Sequence, residues 1–469
     1  MSEKKPQLKR ELSFLHMISI ASGAVIGGWL AEAPYWFSVT GAGGALVFPI
    51  LAILLIPVGL AFAELSAMLP FASAVNVWTT NAMGHRVGWF SQWMMYLVQV
   101  VEPPLMAFIF ITVINHFTPV ELTQSQQTII AIAIVFIWYI VSNFKIRITG
   151  TLSTIFFFSM VIISIVVAVT FFTSGHWSAD NIKVAVDGHK AGLFPKGFGG
   201  IFIAMAVFSL KYIGFEMTPT MIEETKFPAK KMWLVILSAL FIPAALYMFV
   251  VFAIGGMAPW NEIAGMAMPE PELVAKLGLP AIIGILAIIS GCLHALTTLM
   301  GFWTSSARVI YGSAQLNQLP RSFMRLNRYG QPWVANLIVL GFSIFFCIFS
   351  GENWVQYIYA ISCTAAGLVY LISCIDVMLL RKKFPDWERP YRAPGGNLFM
   401  ILGCVISIWI IIGSVLELDA GGYISLAIYF AVGAVLALYM TYYHKRHPDQ
   451  QPRTLTPADI GTETSELID

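Results

Sequence analysis

Phe208-Ser209-Leu210-Lys211-Tyr212-Ile213-Gly214-Phe215-Glu216 stands in the middle of an otherwise apolar stretch, and Ser22-Gly23-Ala24-Val25-Ile26-Gly27-Gly28 stands in the middle of another. Neither reads as a helix whose only task is to cross lipid. A glycine inside a helix is about 1 kcal/mol worse than alanine, and a Lys or acid at mid-bilayer costs about 2.5 to 3.5 kcal/mol on insertion scales. Glycine also recurs at close helix contacts, so packing alone would account for one such cluster. Two interruptions, in what count as the first and sixth apolar stretches, point instead to inverted repeats of five helices with a binding site at the paired breaks. Unwinding frees backbone groups at the midplane, where half-helix N-termini favour anions and freed carbonyls favour cations. A zwitterion or an ion suits such a place.

The composition requires a membrane setting for these breaks. Of 469 residues 58% are hydrophobic and 11% charged, against roughly 25% charged in an ordinary soluble domain. A water-soluble enzyme is excluded, as are disorder, collagen and coiled coil. The net charge of +2 offers no bulk field to recruit nucleic acid. The five cysteines (Cys292, Cys347, Cys363, Cys374, Cys404) lie in apolar blocks without a CxxC pair, and read as buried hydrophobes with no metal site implied.

A bilayer core demands about 20 apolar residues per helix. Twelve stretches meet this, near 14–38, 43–70, 87–117, 126–144, 148–173, 198–222, 232–256, 280–308, 333–350, 355–380, 397–416 and 421–443. The expected fold is therefore all-α and polytopic, with twelve transmembrane helices. It divides into an N-terminal segment 1–13, a first repeat 14–173, a second, inverted repeat 198–380, two further helices 397–443, and a tail 444–469 expected to be disordered. Basic residues such as Lys9, Arg10, Arg86, Lys145, Arg147, Lys226, Lys230, Lys231, Arg321, Arg325, Arg328 and Arg381 gather on one side, which predicts that both termini are cytoplasmic. The N-terminal stretch lacks an A-x-A cleavage site and reads as an uncleaved first span. The segment from Ser73 to Gly84 either lies along the cytoplasmic face or re-enters.

From about Leu12 to His444 the chain resembles the amino acid, polyamine and organocation (APC) permease superfamily, whose fold is LeuT-like. Tyr212-Ile213-Gly214-Phe215-Glu216 with Glu223-Glu224-Thr225-Lys226-Phe227-Pro228 is similar to that family's sixth helix and its exit. Ala307-Arg308-Val309-Ile310-Tyr311-Gly312, the Lys383-to-Pro394 stretch, and Ala63-Glu64-Leu65-Ser66-Ala67-Met68-Leu69-Pro70 follow the same pattern. The family's small-residue run in the first helix falls on Gly27-Gly28-Trp29-Leu30-Ala31, with Trp29 in place of its second small residue. The resemblance implies a 5+5 inverted repeat with helices one and six broken, and transport of amino acids or related amines. It places the carboxylate contact on Gly27 and Gly28, and polar ligands at His294, Thr297 and Thr298, which include those of a sodium site in relatives that have one.

Glu32, Glu102, Lys211 and Glu216 are the ionisable groups deep in spans, and face either the bundle interior or a water-filled cavity. Lys211 reads either as the ligand of an anionic group or as a fixed cation where relatives hold sodium. Glu102, followed by Pro103 and Pro104, reads as a protonatable or amine-binding carboxylate; Glu32 is either a second one or an outer-gate residue. Proton coupling is thus assigned to Lys211, Glu102 and Glu32. Substrate binding is assigned to Gly23, Ile26, Gly27, Gly28, Trp29, Glu102, Ser209, Lys211, Tyr212 and Gly214, with Trp29 and Tyr212 expected to line the cavity. Glu64 and Glu216 are read mainly as structural.

No Walker A, GxSxG or HExxH pattern supports ATP-driven or hydrolytic chemistry, and no cofactor is implied. The expected function is a proton-coupled symporter or exchanger of amino acids in a plasma or bacterial inner membrane, working by alternating access. Its partners are a small-molecule substrate, protons and the lipid bilayer. A polyamine or other organic amine is the alternative cargo, favoured by Trp29, Glu32 and Glu102. A nutrient sensor would carry an output module, and a channel would need a continuous pore.

Overall fold

The computed structural model describes residues 8–116, 118, 122–186, 188, 193–197, 201–202, 205, 208–348, 354–416 and 418–460, the stretch 354–360 by its backbone alone. Residues 1–7, part of the expected sixth span before Phe208, and 461–469 of the tail lie outside the described residues. Among the described residues the regular elements are helical, apart from an isolated parallel bridge between Leu12 and Thr225.

Span one is two helices, α1 (Phe14–Ile26) and α2 (Trp29–Thr40), and span two is α3 (Gly44–Leu54) followed by α4 (Ile56–Met68). The short helix α5 (Val75–Met83) then leads into α6 (His85–Val100) and α7 (Glu102–Asn115), which form span three. Val101 keeps helical torsions (φ −80°, ψ −23°), so the Pro103-Pro104 pair removes two donors without redirecting the chain. Helices α8 (Gln124–Ser142) and α9 (Ile146–Thr173) complete the first half, followed by a short α10 (Ala179–Lys183).

After the broken sixth span come α11 (Met232–Gly255), the two cap helices α12 (Trp260–Ala264) and α13 (Pro269–Lys276), and the long α14 (Ala281–Gln315). Helices α15 (Trp333–Ile348), α16 (Trp354–Lys383), α17 (Gly396–Leu416) and α18 (Ala420–Arg446) follow. Among the described residues nine helical stretches are long and apolar enough to cross a bilayer, and α1 and α15 are shorter apolar helices.

Polarity is distributed as lipid demands. Ile129, Ile137, Leu398 and Leu438 are more than 60% exposed on α8, α17 and α18, whereas Glu216, Glu224, His294 and Asp376 are fully buried. Helix α5 packs inside the bundle, with Val75 to Thr80 buried, so the segment after span two is a buried helix and not a surface strip. The eighth span runs past its expected end at 308 to Gln315, because Arg308 stays on the helix and pairs with Glu224 inside the protein.

Lys9 and Asp449, near the two ends of the described chain, lie on one face of the bundle, called below the face bearing the termini. Lys9 Nζ donates to the Arg328 carbonyl at 3.5 Å, and Arg321 Nη2 donates to the Asp449 carbonyl at 3.0 Å, in the same connection between α14 and α15. The expectation of a disordered tail is corrected over 447–460. Arg453 donates from its backbone to the Leu316 carbonyl and from Nε to the Gln315 carbonyl, and Leu455 is only 1% exposed. Composition concealed this because the contacts are made largely by backbone groups and by one leucine.

Candidate functional site: two crossed helix breaks

The first break follows from helix-end chemistry. Helix α1 stops at Ile26, and Gly27 turns at φ +57°, a region that favours glycine. The last carbonyls of a helix lack intrahelical donors and need others. Here they find hydroxyls: Thr297 Oγ1 donates to the Gly23 carbonyl at 3.3 Å, Thr298 Oγ1 to those of Gly23 and Ala24 at 3.3 and 3.2 Å, and the Tyr247 hydroxyl to those of Val25, at 3.0 Å, and Ile26. On the other side of the break α2 begins at Trp29 with Glu32 in its first turn, where the helix dipole favours a negative charge.

The second break is held by an acid. A 3-10 turn at Ser209–Tyr212 ends, Gly214 takes φ +135°, and a second 3-10 segment runs over Phe215–Glu224. The fully buried carboxylate of Glu216 accepts from the Gly214 N–H (2.8 Å), the Tyr370 hydroxyl (3.1 Å) and Gln99 Nε2 (3.2 Å). The breaks cross in contact, since a Cβ on Gly214 would lie 3.2 Å from the Val25 backbone nitrogen.

Lys211 reaches from the second break to the first. Its ammonium forms an ion pair with Glu32 and lies 3.9 Å from where a Cβ on Gly27 would stand. Around it Ala24, Val25, Gly27, Glu102, Met106, Leu210, Ile213, Thr298 and Phe302 line a cavity with about 20 Å³ for a guest, about one water. The wall is apolar except for Lys211, Glu102, Thr298 and backbone.

Of the residues singled out from sequence, Gly27, Glu102 and Lys211 line this cavity, and Glu32 reaches it through Lys211. Gly23, Ile26 and Gly214 build the breaks, and Gly28 sits where a Cβ would be 2.8 Å from Ile109 on α7. Ser209 is buried in the turn before Lys211. Trp29 and Tyr212 do not line the cavity, which corrects that expectation. The Trp29 indole is turned to His294, donating to Nε2 at 3.3 Å, and the Tyr212 hydroxyl donates to the Phe48 carbonyl at 2.6 Å. A buried indole N–H or phenol seeks an acceptor, and both found one outside the cavity. Sequence reasoning missed Met106, Phe302 and Tyr247. Helical spacing was the signal for the first two, Met106 lying one turn after Glu102 and Phe302 one turn after Thr298, and Tyr247 had none.

Below the breaks, on the face bearing the termini, the bundle is sealed. Arg308 makes a two-pronged pair with Glu224 (2.9 and 2.8 Å), and Nη2 also donates to Gln331 Oε1 at 2.6 Å. The Leu12 N–H donates to the Glu224 carbonyl (2.9 Å) and the Lys226 N–H to the Leu12 carbonyl (2.8 Å), and Glu223 accepts from the Ala72 N–H and Gln315 Nε2. Glu64 is held by Arg381 at 2.8 and 2.5 Å and by the Ala393 N–H. On the opposite side of the breaks Trp36, Phe48, Phe208 and Tyr247 pack ring against ring, with Phe48 and Phe208 stacked at 5.5 Å.

Broken helices cross at a charged cavity inside an apolar-coated bundle, and the sequence comparison identifies the family. Residues 12–437 match the family described as amino acid permease. The chain belongs to the amino acid permease family. This permease is similar to a gamma-aminobutyric acid permease of Bacillus subtilis, at 23% identity with 82% of each chain covered. It is similar to a branched-chain amino acid permease of the same organism, at 23% identity with 86% of this chain and 88% of the relative covered. A methylthioribose transporter, also of Bacillus subtilis, is 22% identical with 94% and 95% covered. The permease is thus a multi-pass membrane protein of a family that transports amino acids.

Proposed function

We propose that this permease is a proton-coupled secondary transporter of amino acids that works by alternating access, in a cell membrane with both termini in the cytoplasm. The observation that carries the reading is the Lys211–Glu32 ion pair lying where the two breaks cross, with Glu102 on the same cavity. A zwitterion can divide such a pair. Its carboxylate takes the Lys211 ammonium and the positive end of α2, and its ammonium takes Glu32 or Glu102. One ion pair replaces another, so no lone charge is left in the membrane interior, where an unpaired ion costs several kcal/mol.

The proton as driver is supported by the occupants of the first break. The carbonyls that a helix break frees for cations accept from Thr297, Thr298 and Tyr247, and the nearby fixed cation is Lys211. Glu102 and Glu32 are the carboxyl groups available to carry a proton through the cycle. The seal on the face bearing the termini and the ring cluster opposite it supply the two gates. The basic residues of that face support its cytoplasmic assignment.

Two of the three relatives are named for amino acids and one for a thiosugar. A sugar needs no fixed ion pair, so Lys211 favours the zwitterion. The two carboxyl groups favour an organic amine as the second reading. Radiolabelled uptake into proteoliposomes tests both: saturable amino acid uptake driven by an inward proton gradient, unchanged when potassium replaces sodium, is the expected result. An ohmic current, a requirement for sodium, or uptake competed by polyamines and not by amino acids would overturn it.

A further inference from the structure

The docked tail lies on the elements that seal the face bearing the termini. Its backbone is gripped at four points: Arg321 Nη2 donates to the Asp449 carbonyl, Asn317 Nδ2 to that of Gln451 (2.9 Å), Asn81 Nδ2 to that of Leu455 (2.9 Å), and the Arg453 N–H donates to the Leu316 carbonyl (3.1 Å). Arg453 Nε adds a 2.7 Å bond to the Gln315 carbonyl, and Leu455 is buried to 1% exposure. The receiving cleft is shaped for this. Asn317 takes φ +53° just past the end of α14, and its carbonyl is held by His444 at the end of α18.

The grip leads directly into the gate. Gln315, whose carbonyl takes Arg453, donates its own side chain to Glu223 at 3.1 Å, and Glu223 also takes the Ala72 N–H. Glu223 is adjacent to Glu224, the residue bonded to both Arg308 and Leu12. Asn81, which holds Leu455, belongs to the buried helix α5.

We propose that the cleft formed by α5, the end of α14 and the 316–321 turn is a peptide-binding site whose resident ligand is the tail segment 449–456. With that segment bound, α5 and α14 are clamped and the Leu12–Glu224 seal stays closed; its release favours opening toward the face bearing the termini. This rests on the alternating-access reading for its consequence in transport.

Hydrogen exchange on the full-length protein in lipid nanodiscs tests it. The reporters are the amides of Leu12 and Lys226, both bonded across the seal. In Arg453→Ala and in Leu455→Asp these amides exchange about threefold faster or more, as expected when a local opening becomes easier, while amides of α9 and the control Arg446→Ala are unchanged. Adding the synthetic peptide 447–460 to a chain ending at Arg446 slows them again. Unchanged exchange at Leu12 and Lys226 in both variants, with the backbone amide at position 453 deprotected, would overturn the proposal. General loosening of α9 that the peptide does not reverse would overturn it as well. A parental protein whose seal exchange never responds to amino acids, alongside variants that do open it, would remove the transport reading and leave the strap standing.

Discussion

The two breaks solve one problem with different chemistry. At Gly27 the stranded carbonyls are met by neutral hydroxyls from α14 and α11; at Gly214 the turn is bound by a buried carboxylate that gathers three donors. A neutral hydroxyl can exchange one carbonyl for another at little cost. A buried carboxylate deprived of its donors is costly, by about 1.5 to 3 kcal/mol per charged hydrogen bond. The first break is therefore suited to hinge and the second to remain as a platform, and Lys211 on the platform holds Glu32 on the hinge.

Four substitutions test this contrast. Lys211→Met removes the link between hinge and platform. Losing one partner of a buried pair costs ~2 to 5 kcal/mol, so amino acid binding measured by calorimetry weakens at least about thirtyfold. Glu216→Gln keeps the shape of the platform but weakens its charged bonds, and lowers stability by about 2 kcal/mol, read as an earlier melting temperature with uptake reduced in parallel. Thr298→Val at the hinge costs about 1 kcal/mol and leaves proteoliposome uptake within a few-fold of the parent. A loss as deep as that of Glu216→Gln would erase the distinction between the breaks.

Glu270 on the cap helix α13 supplies the smallest effect and a counter-example to Glu216. It is 1% exposed and its Oε1 has no hydrogen-bond partner among the described residues, so burial holds its carboxyl well above the usual range. The native state then binds the proton more tightly than the unfolded chain, and stability from this group is present at low pH and lost as pH rises above the ordinary carboxyl value of 4.5. Melting curves of Glu270→Gln should match the parent near pH 4.5 and exceed it by a few degrees near pH 8. Equal curves at both values would show that the site is satisfied in its ionised form.

Much of this was legible in the sequence, for reasons of range. The apolar runs, the glycines of the first break, and the Lys and Glu of the sixth span are local signals, and lipid makes each of them costly unless used. The partners were not legible. Gly23 meets Thr297 and Thr298, Tyr247 meets Val25, and Trp29 meets His294 across more than two hundred residues, and no spacing rule connects them. Trp29 and Tyr212 were placed on the cavity because they adjoin the breaks, but the acceptors for their polar tips lay elsewhere. The contacts of the tail were hidden for a related reason: low hydrophobicity predicts disorder only when the backbone has nothing to bind, and here the turn after α14 binds it.

The proposed reception of the substrate by Lys211 and Glu32 is tested most directly by binding. Binding of amino acids to the purified protein should be compared by calorimetry among the parent, Lys211→Met and the double variant Lys211→Met with Glu32→Gln. Loss of zwitterion binding in both variants, with helical content and the Leu12–Glu224 seal intact, is the predicted result. Parental affinity retained in Lys211→Met would contradict the account.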